Sequence, residues 1–292
     1  MRKLITLLSL LIVITTFGQQ TPASEQSNSI LFVNATIHTG EGSVLDKSAV
    51  GFENGKITYV GNSDNPPAFD QIIDVTDKHI YPGFIAMNST LGLVEVDAIR
   101  ATSDVDEIGD FLPHIRTTIA YNAESKIVES MRPNGVLIAQ VTPRGGRISG
   151  SSSIMQMDAW NWEDAIIKAD EGIHLNWPRP YSRGRYWLGE DPTLKVNKKY
   201  LSNINKLKIF IENAKVYDPM QNPIHLPYQA MKGLFEGKKT LYLHALDEKQ
   251  IVDGISYLKN LGLNKIVLVG GNESPRQIKF LKDNSISVIV SR

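Results

Sequence analysis

The period of the hydrophobic pattern changes once along this chain, at Pro82-Gly83, and that change divides it into regions of different architecture. Before it, over residues 30–82, short apolar runs are separated by turn residues. Residues 29–33 lead into Asn34-Ala35-Thr36-Ile37, then a turn at Gly40-Glu41-Gly42. Val50-Gly51-Phe52 is followed by Glu53-Asn54-Gly55 and the alternating run over residues 56–61. Asn-Gly between β-rich runs is the strongest short hairpin signal, so this region reads as a small β-domain. After Pro82-Gly83, strand-like runs over 83–88, 135–141, 153–157, 173–176, 240–244, 265–269 and 287–290 alternate with other segments. Residues 246–261 carry helical spacing at Ile251, Ile255 and Leu258, and residues 274–282 read as a second helix. Strand–helix–strand alternation with tight connections predicts parallel α/β packing. Residues 178–197, rich in Pro, Gly, Arg and aromatic side chains, read as an ordered surface excursion.

The N-terminus reads as an address. Arg2 and Lys3 precede an apolar run over residues 4–17, shorter than the ~20 residues a membrane helix needs. Small residues at Thr16 and Gly18 suit cleavage before Gln19. The expectation is a cleaved secretory signal over 1–18 and a flexible polar lead-in over 19–29. The protein is then secreted, or periplasmic in a diderm source, with no stable membrane anchor. The chain has no cysteine, which excludes a lipid-bearing cysteine, disulfides, thiol nucleophiles and Cys-based metal sites. Lys+Arg and Asp+Glu both number 31, so the electrostatic footprint of a general nucleic-acid binder is absent.

Two elements carry a family resemblance. The hairpin over residues 52–61 resembles the one that opens amidohydrolase-superfamily proteins. The run Ile73-Asp74-Val75-Thr76-Asp77-Lys78-His79-Ile80-Tyr81-Pro82-Gly83-Phe84-Ile85 resembles their crossing from β-sandwich to barrel. Residues 91–95 and Thr142-Pro143-Arg144-Gly145-Gly146-Arg147-Ile148-Ser149-Gly150 are similar to the imidazolonepropionase-related branch. The resemblance covers residues 30–292. It implies a (β/α)8 TIM barrel over 83–292 with a small N-terminal β-sandwich portion over 30–82. It also implies hydrolysis of an amide, cyclic amide or peptide-like C–N bond in a small-molecule or peptide-like substrate. A divalent ion such as zinc would activate the water.

The ligand set that the resemblance implies is thin here. The family's first strand ends in His-x-His, and two such residues on a strand face one side. This chain has Asn88 and Thr90 at those positions, and Ala86 in place of the usual acid. His244, ending the strand over 240–244, matches the fifth-strand histidine and is the one metal ligand in place. Gly270-Gly271 stands where the sixth-strand histidine is common. The eighth-strand Asp has no position, because the sequence stops at Ser291-Arg292 after the seventh strand. The barrel is therefore expected to be truncated before its last strand. An amide oxygen and a hydroxyl are poor zinc ligands, and catalytic zinc usually takes three protein ligands. Three readings stand: a metal-dependent hydrolase; a binding or partner subunit on a degenerate scaffold, with no metal of its own and an intact homologue as partner; or metal-free hydrolysis supported by Asn88 and a few acids, for which no positive motif is present.

Other candidates have two readings each. Arg144-Gly145-Gly146-Arg147, with the serines beyond, is either a tight turn at the barrel rim or an anion-binding nest, with Arg144 and Arg147 contacting a substrate carboxylate. Glu95, Asp97, Asp104, Asp106 and Glu107 form a solvated acidic loop or a cation site. His174 and Asn176 either lie at a strand tip with a role there or are structural. His38, His79, His114 and His225 match no ligand motif, and Trp160, Trp162, Trp177 and Trp187 either pack or line a pocket.

Overall fold

The structure, a computed structural model, describes residues 21–290; the expected signal segment lies outside them. Two compact units divide the chain between Phe84 and Ile85.

The first unit holds β1 (Ile30–His38), β2 (Val44–Glu53), β3 (Lys56–Asn62), β4 (Gln71–Asp74) and β5 (His79–Ile80). They form one sheet in the order β3-β2-β1-β4, with β5 also on β1. The hairpin signal is met: β2 and β3 pair antiparallel, and Asn54 and Gly55 have φ of 51° and 69°. Two positive values suit the tight turn that matches strand twist. Ala35, Ile37 and Val50 form its small core with Leu45, Phe52, Val75 and Ile80. The facing sheet that a sandwich needs is not among the described residues.

The second unit is built on β6 (Phe84–Ser89), β7 (Val136–Val141), β8 (Ile148–Gln156), β9 (Ile166–Asn176), β12 (Thr240–Ala245), β13 (Ile266–Gly270) and β14 (Ser287–Val290). The short strands β10 (Tyr181–Arg183) and β11 (Leu194–Val196) form a separate hairpin in the surface excursion. The main sheet is barrel-like, in the order β14-β13-β12-β9-β8-β7-β6. β9, β12, β13 and β14 are parallel, as expected. β8 is not: it runs antiparallel to both neighbours and starts earlier than the expected strand over 153–157. The reason is chain length. Residues 142–147 and 157–165 connect β8 to its neighbours, and a parallel crossover needs about a dozen residues or more.

The helices are α1 (Thr117–Ala120), α2 (Lys126–Met131), α3 (Trp162–Ala165), α4 (Tyr200–Val216), α5 (Leu226–Phe235), α6 (Glu248–Asn260) and α7 (Ile278–Asp283). In α6, Ile251, Ile255 and Leu258 are fully buried, and each such side chain contributes about 2 kcal/mol of transfer free energy. Helices α4 and α5 lie outside the sequence expectation. Yet α4 buries Ile204, Leu207, Ile211 and Ala214 at three- and four-residue spacing. These helices, with β9, β12 and β13, enclose the larger core. A second core joins Leu93, Tyr121 and Val128 to Ala139, Val141 and Met155 of β7 and β8.

One glycine positions the site. Tyr242 on β12 lies flat on His174 of β9, with ring centroids 4.6 Å apart and planes 6° from parallel. Gly172 sits beside that ring, and a Cβ there would stand 2.3 Å from Tyr242 Cε2. Gly172→Ala should displace the ring and destabilise the protein by about 1–3 kcal/mol, as overpacking does. A urea-unfolding midpoint equal to that of the parent would show that the ring is not fixed this way.

Candidate functional site

The C-terminal ends of parallel strands gather the functional groups of such sheets. Here β6, β9, β12 and β13 end in Ser89, Asn176, Ala245 and Gly270. Because β8 is antiparallel, its start lies beside the end of β9, with Ile148 opposite Leu175. The β7–β8 connection therefore sits at this mouth and delivers Arg144 and Arg147 to it. A cleft of 510 Å³ opens there, lined by Asn88, Arg147, Asn176, Trp177, Arg179, Asn197, Asn203, His244 and Gln250 among others. No Asp or Glu lines it.

Asn88 has φ of 51°, a left-handed conformation that Asn tolerates better than most residues. This breaks the extended path one residue before β6 ends. Thr90 lies outside the strand, so the expected strand pairing of positions 88 and 90 on one face does not form. The turn instead lets both oxygens of Asn88 face Arg144: Nη1 donates to Oδ1 at 3.1 Å and Nη2 to the main-chain oxygen at 2.8 Å. Longer bonds from Nη1 reach the carbonyls of Thr142 and Pro143. The Asn88 N–H donates to Gln140 Oε1 at 3.0 Å, and Gln140 Nε2 donates to Glu171 Oε1 at 2.9 Å. Ser152 also donates to that carboxylate oxygen, so the buried Glu171 is held by neutral donors.

His174 and His244 come together across β9 and β12, with His174 Nδ1 2.9 Å from His244 Nε2. His174 is fully buried, and its Nε2 has no hydrogen-bond partner among the described residues. An unpaired N–H costs more than an unpaired lone pair, so we assign the Nδ1 proton to His174, donating to His244 Nε2. Burial, reinforced by the Arg144 charge, pushes His244 down to about 4. Burial, then the neighbouring His244 and Arg144, holds His174 well below the usual imidazole range.

The Arg-Gly-Gly-Arg turn is tied down rather than open. The N–H of Arg144 donates to Val105, and those of Arg147 and Ile148 donate to Asp110. Asn176 Nδ2 donates to the carbonyls of Gly145 and Gly146 and to Ser149 Oγ. Arg147 Nη1 returns a bond to the Asn176 carbonyl at 2.9 Å. A nest made of the Arg144 and Arg147 amides is therefore not available. Gln250, buried at the start of α6, donates to the carbonyls of Trp177 and Pro178 and accepts from the N–H groups of Leu246 and Asp247.

The remaining candidates stand apart. Glu95 accepts from Asn122 and Ser125, and Asp106 pairs with Arg100. No group of three metal-ligating side chains occurs among the described residues. His38 faces His79 at 3.0 Å and stacks on Tyr81, while His225 accepts from the Tyr228 N–H at the start of α5. His114 is partly buried. Trp177 is buried in the core beside the cleft, and Trp160 and Trp187 are exposed.

These residues do not fit a divalent ion. The Asn88 oxygens hold a guanidinium, the Nε2 lone pair of His244 accepts from His174, and Gly270 has φ of 94°, where histidine would be strained. A cation placed among them would also be repelled by Arg144.

No protein-family model and no curated protein matches the sequence. The fold is similar to that of an amidohydrolase from Thermotoga maritima MSB8, with a TM-score of 0.72 and 22% identity over 90% of this chain and 70% of that one. Looser likenesses are to a prolidase complexed with N-methylphosphonate-L-proline (TM-score 0.48, 12% identity, 90% and 66% covered) and to molinate hydrolase (TM-score 0.47, 12% identity, 92% and 64% covered). The first likeness establishes the barrel fold, and the other two carry no further weight. Among the described residues no helix is long and apolar enough to cross a membrane.

The two imidazoles give stability a pH dependence. With the folded value near 4 and the unfolded value near 6.5, His244 stays neutral in the fold while the unfolded chain takes up a proton. Its contribution is complete above about pH 6.5 and is lost as pH falls through about 4, in total on the order of 3 kcal/mol. Between pH 7 and 4, His244→Asn should lose less stability than the parent. Parallel curves of urea midpoint against pH would contradict the assignment.

Proposed function

We propose that this chain is a secreted protein of amidohydrolase type whose barrel mouth binds a small cyclic-amide-like molecule. The observation that carries this is the 510 Å³ cleft at the strand ends, walled by the amides of Asn88, Asn176, Asn197, Asn203 and Gln250 beside His244. Of these amides, Asn88 Nδ2, Asn176 Oδ1 and both ends of Asn203 make no hydrogen bond among the described residues, and together they supply donors and acceptors that suit a ligand carrying its own N–H and C=O groups. Hydrolysis of a C–N bond is the chemistry inherited with the scaffold. The similarity of residues 91–95 and 142–150 to the imidazolonepropionase-related branch supports a cyclic amide. A second reading, binding without turnover, either alone or beside an intact homologue, starts from the poor fit of the residues to a metal ion.

Hydantoin and 2-pyrrolidone serve as probes. Each should give saturable NMR shifts in the Trp177 indole and the Asn197 and Gln250 side-chain amides. Shifts absent or confined to other surfaces would overturn the binding site. Turnover of hydantoin that a chelator abolishes, with stoichiometric zinc lost in His244→Ala, would establish hydrolysis and refute the metal misfit. Binding without turnover would support the second reading.

A further inference from the structure

The surface excursion ends in an apolar tip. Between β10 and β11, the single 3-10 turn Tyr186–Leu188 leaves its three side chains 72%, 68% and 61% exposed. On the strands, Val196 stands opposite Tyr181 and Leu194 opposite Arg183, so these four share one face. Leu194 and Val196 are exposed as well. Single exposed apolar residues are ordinary, whereas a contiguous group marks a surface that meets another. The tip is braced in this shape. Arg185 closes the loop on the Glu190 carboxylate with its main-chain N–H and with Nε and Nη2. Gly189 ends the turn at a left-handed φ of 75°. A Cβ on Gly184 would stand 2.3 Å from the Asp191 carbonyl oxygen, so the two arms meet closely there.

Charge identifies the kind of surface. Residues 179–199 hold six cations and two acids, in a chain whose total charges balance. Both acids are taken, Glu190 by Arg185 and Asp191 by Lys195. Arg179, Arg183, Lys198 and Lys199 are exposed and form no ion pair among the described residues. Trp160 makes a contrast: it is exposed too, at 61%, but its sequence neighbours Asp158, Glu163 and Asp164 are acidic.

We propose that this hairpin is a reversible docking device for an anionic lipid bilayer. Trp187 and Tyr186 suit the membrane interface, where the ring is buried and its polar atom stays wet. Leu188 adds an apolar wedge, and Arg183, Lys198 and Lys199 meet the lipid phosphates. The hairpin is rooted at the barrel mouth: Arg179 and Asn197 at its base line the cleft, and Asn197 Nδ2 donates to the Arg179 carbonyl. Docking therefore tethers the rim of the cleft and leaves the cleft itself unused.

The test uses vesicles of phosphatidylcholine alone and with phosphatidylglycerol. The protein is processed before Gln19, so that the apolar run over residues 4–17 contributes nothing. Sedimentation should show partitioning roughly tenfold or more tighter onto the anionic vesicles, since each cation near such a surface is worth about fivefold. Sodium chloride should weaken it. Brominated acyl chains should quench tryptophan emission, and Trp187→Ser should remove that quenching while Trp160→Ser leaves it. Trp187→Ser should also cut partitioning about tenfold, the value of burying one such side chain. Arg183→Gln combined with Lys198→Gln and Lys199→Gln should cut it by roughly a hundredfold, while Arg183→Lys should change it little. Circular dichroism checks the fold of each variant. Equal partitioning onto both vesicle types, or anionic binding indifferent to Trp187 and to the three cations, overturns the proposal. So does a dimer in sedimentation velocity that Trp187→Ser dissociates, which would make a second copy the partner. Soluble polyglutamate bound as tightly as the anionic vesicles, with no effect of Trp187→Ser, would replace the bilayer by an acidic protein.

Discussion

Across the ends of β6 and β7, one guanidinium grips one asparagine by both of its oxygens. Much of the barrel mouth follows from that pairing. It needs Asn88 in a left-handed turn, which ends the strand and diverts Thr90. It needs Arg144 on a connection short enough to bring it back over β6, and that shortness is what forces β8 to run antiparallel. It also leaves a fixed positive charge near two imidazoles, adding to the burial that chiefly holds them neutral. A divalent ion would have to displace the guanidinium before finding a single free donor at Asn88.

Beneath this pairing, a polar ladder replaces part of the apolar interior that a barrel ordinarily packs. Gln140 links the Asn88 N–H to Glu171, and Ser152 shares that carboxylate. Tyr242 covers His174, and the absent side chain at Gly172 makes room for the ring. Buried polar groups of this kind are costly unless paired, and their geometry is correspondingly rigid. The rim is rigid for the same reason: Asn176 holds the Arg-Gly-Gly-Arg turn by three hydrogen bonds, and Gln250 joins the exit of β9 to the start of α6. Several side chains of the cleft wall, Asn88, Arg147, Asn176 and Gln250, are held in place by hydrogen bonds.

Elements with strong local signals were legible from the residues. Asn54-Gly55 marked its hairpin because few other residue pairs accept two positive φ values. Ile251, Ile255 and Leu258 marked α6 because their spacing puts them on one face. Seven strand-like runs corresponded to the seven strands of the main sheet, although 153–157 and 173–176 captured only parts of β8 and β9. Helix α4 has an equally regular stripe, but lysines and asparagines between its apolar positions dilute the signal. The direction of β8 was readable in principle from connection lengths, but hydropathy carries no information about direction. At the site, His244 and the substitutions at 88 and 90 were visible in the sequence, and so were Arg144 and Arg147. The contact between His174 and His244 was not, because it depends on the register of β9 against β12.

By itself the sequence determined the chemistry on offer: no thiols, few imidazoles, a balanced charge, and two arginines in a glycine-rich turn. It determined local conformation wherever steric preference acts over a few residues. Only the tertiary structure decided which of those groups meet. Pairing register, strand direction and the return of the β7–β8 connection join positions 56 and 70 residues apart, Asn88 with Arg144 and His174 with His244. Contacts at such separation are selected by global packing and hydrogen-bond satisfaction, which no short window of residues encodes.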